Sequence, residues 1–100
     1  MQDQDQGIPR SLKPYFQEYN LDALSVRRDA DLIIQRTLEY GNWDEIRWLF
    51  EVYRRARIQR FIREHGERWL SPVTFNYWRK LLGVRKWNPA PFDQVMQWPP

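Results

Sequence analysis

From Val26 to Leu38 the side chains that can be buried fall three or four residues apart: Val26, Ala30, Ile33, Ile34, Thr37 and Leu38. That spacing gathers them on one stripe of an α-helix and would scatter them over both faces of a strand. Ser25 stands where an N-cap belongs, and Gly41 suits the left-handed position just past a helix end. The pattern then repeats. Asn42 with Glu45 three residues on is a capping box, and Ile46, Leu49, Phe50 and Tyr53 continue at helical spacing. Ile58, Phe61 and Ile62 mark a third stripe, but a smooth helix from Tyr53 to His65 would put Arg54 in its apolar sector, so a break is expected near Arg54. Gly66 is the expected stop of that segment. Ser71-Pro72 gives a capping serine with proline at the first helical position, Leu70 is placed to staple onto Phe75, and Phe75, Trp78, Leu81 and Leu82 form the stripe. Gly83-Val84 supplies a C′ glycine followed by an apolar residue.

No segment alternates apolar and polar residues between turn signals, so no sheet is expected. The predicted fold is all-α: a compact bundle of about four helices. It has an N-terminal aromatic arm (Tyr15, Phe16, Tyr19) and an extended proline-rich C-terminal tail. One hundred residues leave room for one domain. The expected division is a disordered N-terminus over 1–7, a helical domain over 8–84 and a Pro/aromatic tail over 85–100, which holds four of the seven prolines. With 42% hydrophobic residues and six tryptophans, the chain can offset backbone ordering without disulfides or metals.

Cysteine is absent, which excludes disulfides, thiol nucleophiles and cysteine-based zinc or iron–sulfur sites. The polar start Met1 to Gly7 does not read as a secretory signal, and no apolar run approaches a membrane span. A cytoplasmic location is expected. The lone histidine, His65, lies beside Gly66, where an imidazolium would favour the helix C-terminus. Asp44-Glu45 occupy a helix first turn, and Asp29 and Asp31 diverge. The four glycines are isolated, so no phosphate loop exists. No catalytic residues, metal ligands or cofactor are expected, and the chain reads as a non-enzyme that binds another macromolecule.

The candidate contacts come from apolar residues outside the stripes. Trp43, Phe50, Tyr53, Phe61, Phe75 and Trp78 are assigned to the core, whereas Leu32, Trp48 and Val52 fall on the opposite side of their helices. Either the helix from Asn42 to Tyr53 is buried on two sides, or Trp48 and Val52 belong to a contact patch. Trp87, Phe92, Val95, Met96 and Trp98 are spaced by prolines in a tail that has no core of its own. That tail either wraps its own bundle or docks into a partner, with Trp87, Phe92 and Trp98 as the anchors. Between Arg47 and Arg68, seven arginines face three glutamates. This is either a solvated helix face or a weak, phosphate-directed nucleic-acid surface centred on Arg47, Arg57, Arg60 and Arg63.

Leu32-Ile-Ile-Gln-Arg-Thr-Leu-Glu-Tyr-Gly41, then Trp48-Leu49, Tyr53, and Leu70-Ser-Pro-Val-Thr-Phe-Asn-Tyr-Trp78 through Leu82-Gly83 together resemble a family of short helical bacterial proteins of unknown function. Genes of that family often lie beside abortive-infection toxins of the nucleotidyltransferase type. The resemblance implies an antitoxin-like or accessory role and a protein partner, such a toxin among them. It touches Ile33, Ile34, Arg36, Leu38, Gly41, Trp48, Leu49, Leu70, Ser71, Asn76, Trp78, Leu82 and Gly83. Most of these have a core or cap explanation, and buried polar pairing accounts for the polar exceptions Arg36 and Asn76. At Arg54 the family often has glycine after tyrosine. The rival reading is a DNA-binding transcriptional regulator, with the helix pair flanking Gly41 as a helix-turn-helix; against it, Trp43-Asp44-Glu45-Ile46 offers no polar base-reader.

Overall fold

The computed structural model describes residues 7–89. All their regular structure is helical, as expected. The chain divides into two compact units between Arg54 and Arg55.

In the first unit a 3-10 segment, Arg10–Phe16, buries Leu12 and Phe16 and leads through a short one, Leu21–Ala23, to helix α1, Ala30–Tyr40. The aromatic arm lies on α1: the Tyr15 ring stacks on Tyr40 at 5.6 Å. Ser25 caps the turn ahead of α1, its Oγ accepting from the Arg28 N–H and its own N–H donating to Asp29 Oδ2. The expected stripe is buried at Ala30, Ile33, Ile34, Thr37 and Leu38, but the helix starts only at Ala30, with Asp29 in the N-cap position, so Val26 precedes it and is half-buried. Gly41 is not left-handed; its backbone is extended (φ −72°, ψ 153°). Glycine is needed there for clearance, because a Cβ would stand 2.6 Å from the Thr37 carbonyl oxygen.

Helix α2, Trp43–Phe61, opens on the capping box: the Glu45 N–H donates to Asn42 Oδ1 and the Asn42 N–H to Glu45 Oε1. Ile46, Leu49 and Tyr53 are buried, and the Tyr53 hydroxyl donates to the Val26 carbonyl at 2.7 Å. Trp43 is not core. At the first helical position its side chain is 64% exposed, one turn short of where the stripe turns inward. The helix breaks at Arg54, whose φ of 66° and ψ of 159° lie in a region almost confined to glycine.

The second unit begins with residues 55–61 of α2 and runs on through a π-helical stretch, Ile62–Gly66, into the short α3, Glu67–Trp69. Gly66 does not stop the helix; it is helical (φ −59°) and buried, and the Phe75 ring lies over it. His65, with the helix continuing past it, is not a terminal cap. Its ring stacks on Trp69 at 4.5 Å and tilts against Phe61 at 5.8 Å. Helix α4, Pro72–Leu81, has Ser71 as N-cap, accepting from the Thr74 N–H, and buries Leu70 and Phe75 at the two staple positions. It closes in a Schellman motif: Gly83 takes φ 72°, the Val84 N–H donates to the Arg79 carbonyl and the Gly83 N–H to that of Lys80.

Candidate functional site

Phe75, Trp78 and Leu82 bury one side of α4, and Leu81, assigned to that stripe from sequence, is 54% exposed. The correction follows from geometry. Leu81 is four residues beyond Tyr77 and eight beyond Val73, so it lies on their stripe, turned away from the buried one. Val73 is 80% and Tyr77 49% exposed, and the three make an apolar ridge along successive turns. Lys80 stands exposed beside it. The signal was legible as a second series spaced by four, hidden because Leu81 is contiguous with buried Leu82.

Trp87 is half-buried on its own unit. Its Nε1–H donates to Glu67 Oε1 at 2.7 Å, its ring meets Phe75 edge-on at 5.2 Å, and the Arg79 guanidinium lies 4.7 Å from its centroid. The Asn88 N–H donates to the Arg63 carbonyl. Packing therefore continues past Val84. Phe92, Val95, Met96 and Trp98 lie outside the described residues. Leu32 on α1 and Trp48 and Val52 on α2 are half-buried, intermediate between core and patch.

The four arginines singled out as phosphate contacts are not equivalent. Arg47, in the first unit, pairs with Asp44 at 3.1 Å. Arg57 is half-buried, whereas Arg60 and Arg63 are exposed one turn apart, opposite buried Ile58, Phe61 and Ile62. Ala56 is exposed one turn before Arg60.

Elsewhere the polar contacts hold structure together. Arg36 donates to the Tyr15 carbonyl and, through two nitrogens, to both carboxylate oxygens of Glu18, tying the aromatic arm to α1. Chiefly through that hydrogen bonding the Arg36 guanidinium holds the Glu18 carboxyl below the usual range. The Asp29 carboxyl is likewise lowered, first by Arg28 and then by the Ser25 N–H. An open depression of roughly 600 Å³ beside Arg10, Lys13, Phe16 and Tyr19 contains no acid–base pair. Among the described residues no three His, Cys, Asp or Glu side chains converge so as to hold a metal ion, and no helix is long and apolar enough to cross a membrane.

Residues 11–62 match the model of a family of unknown function, DUF6922. The chain belongs to that family. The matched segment runs from the 3-10 arm through α1 and α2 to the start of the π-helical stretch, so the α4 ridge lies beyond it. No curated protein and no solved structure matches the chain.

Proposed function

We propose that this DUF6922 protein is a non-enzymatic, cytoplasmic protein-binding module. It would act as the antitoxin-like or accessory member of a bacterial toxin–antitoxin or phage-defence pair. The toxin class comes from the sequence resemblance alone, which implies a nucleotidyltransferase-type partner. The observation that supports protein binding is the ridge of Val73, Tyr77 and Leu81, three large apolar side chains on successive turns of a helix whose opposite side already fills the core. A small protein gains nothing from exposing such a row, and covering it on a partner removes apolar surface from water at about 25 cal/mol per Å².

The regulator reading draws less support. At the start of α2, Glu45 is buried in its capping box and Asp44 pairs with Arg47, so that turn offers neither a base-reading side chain nor net positive charge.

The experiment is co-expression with the product of the adjacent gene, comparing the natural chain with a Val73→Ser, Tyr77→Ser, Leu81→Ser triple variant. Since all three side chains are exposed, helicity by circular dichroism should be unchanged. Loss of co-purification supports the reading. Undiminished co-purification of the triple variant removes the ridge from the interface.

A further inference from the structure

Charge divides unevenly between the two units. Residues 7–54 carry seven Arg and Lys against eight Asp and Glu, whereas residues 55–89 carry nine against two, Glu64 and Glu67. The net positive charge of the described chain therefore belongs to the second unit, where two carboxylates can balance at most two of nine cations. Seven of the nine are arginines, whose planar fork matches a phosphate in two places.

Placement sharpens the point. Along residues 55–64 the exposed side chains are Arg55, Ala56, Arg60, Arg63 and Glu64, with Ile58, Phe61 and Ile62 buried opposite. This face has no large apolar side chain, so it lacks what the core of a protein–protein contact is made from. Small Ala56, one turn before Arg60, lets a backbone approach the helix. The face is also separate from the α4 ridge. Gly66 of the helical run meets Phe75 of α4, so the buried sides face each other and the two exposed sides point away.

We propose that the Arg60–Arg63 face of the second unit binds the phosphodiester backbone of double-stranded nucleic acid without reading its sequence. Guanidinium groups at two successive turns meet phosphates and neighbouring cations such as Arg55 add attraction, contacts that position a duplex and carry no sequence information. The site is distinct from the protein-binding ridge, so its success or failure is independent of that reading.

The test is fluorescence anisotropy of the full chain with labelled duplex DNA of two unrelated sequences at 50 and 200 mM salt. Binding should be similar for both sequences and should weaken by about 40- to 500-fold across that range, the loss expected for three to five phosphate contacts. An R60Q/R63Q variant should lower the slope of log affinity against log salt by about two, while the charge-matched R10Q/R47Q variant in the first unit leaves it unchanged. Three results would overturn the proposal: no binding at 50 mM salt, an equal loss in both variants, or tighter binding of poly-L-glutamate than of duplex DNA at equal charge, which would make the ligand an acidic protein.

Discussion

Gly66 and Phe75 meet so closely that a methyl group at position 66 would stand 2.8 Å from Phe75 Cδ1. Two effects of Gly66→Ala oppose each other. Alanine improves helix propensity by about 1 kcal/mol. Overpacking a filled core costs about 1–3 kcal/mol, and Phe75, only 4% exposed and braced by Trp87, has little room to withdraw. The steric term should win. Urea denaturation is expected to show net destabilisation, and a variant as stable as the natural chain would mean that the ring is free to move.

Arg54 presents the converse case, a position occupied by the wrong residue for its backbone. Its side chain is exposed, so little is lost by removing it, whereas φ 66° with ψ 159° costs a residue with a Cβ about 1–3 kcal/mol. Arg54→Gly relieves that strain but gives the unfolded chain more freedom, at up to about 1 kcal/mol. The expected result is a gain of about 1 kcal/mol, with Arg54→Ala giving none. Equal stability of the glycine and alanine variants would show that the strain is absent in solution.

Thr37 is fully buried and its hydroxyl has no hydrogen-bond partner among the described residues. An unsatisfied buried polar group costs about 1–3 kcal/mol. Thr37→Val keeps the shape and removes the hydroxyl, so thermal melting should rise. A fall would indicate that the hydroxyl finds a partner in solution.

The Glu18–Arg36 contact gives the first unit a pH dependence of predictable sign. Glu18 has a folded pKa below its unfolded value, so its contribution is present above about pH 4.5 and disappears as pH falls through the folded value. Because Glu18 is exposed, the effect should be local: loosening of the Arg10–Phe16 segment in acid, read as faster amide exchange there. Glu18→Gln should show the loosened behaviour at neutral pH and little further change on acidification. An acid response identical to that of the natural chain would assign the transition to another carboxylate, Asp29 being the next candidate.

These contacts mark where sequence reasoning reaches and where it stops. Asn42 with Glu45, Ser71 with Pro72, and Gly83 with Val84 are legible because each device closes within a few residues, and its chemistry is written in those residues alone. The break at Arg54 is legible from a clash of periods, since a charged residue cannot occupy an apolar sector. Gly41 and Gly66 part company. Gly41 does end α1, but in extended and not left-handed backbone, whereas Gly66 continues the helix; the small size of each answers to Thr37 and Phe75, the second a contact between elements that no local pattern encodes. Trp43 and Leu81 show the same limit, because helical spacing says which residues share a face but not how far the neighbouring element extends over it. The α4 ridge escapes a sequence reading on that account, whereas the arginine excess between Arg47 and Arg68 is legible in the sequence, and the division at Arg54 assigns most of it to the second unit.

Where the second unit ends can be tested by truncation. From its sequence the helical domain should close at Gly83-Val84, but Trp87 and Asn88 return to the unit through Phe75, Glu67, Arg79 and the Arg63 carbonyl. An edge-on aromatic contact contributes about 0.5–1.5 kcal/mol, a cation over an indole at a partly exposed site about 0.5–1 kcal/mol, and the half-buried hydrogen bond to Glu67 about 1 kcal/mol. These terms share one ring and do not simply add, so cutting after Val84 should cost about 2–3 kcal/mol. Cutting after Pro89 retains every one of them. Comparing the two truncations by urea denaturation isolates residues 85–89, and Trp87→Phe in the full chain separates the indole N–H from the ring, with an expected loss of about 1 kcal/mol. If both truncations unfold at the same urea concentration, Trp87 contributes nothing to the fold, and its ring returns to the list of candidate partner contacts.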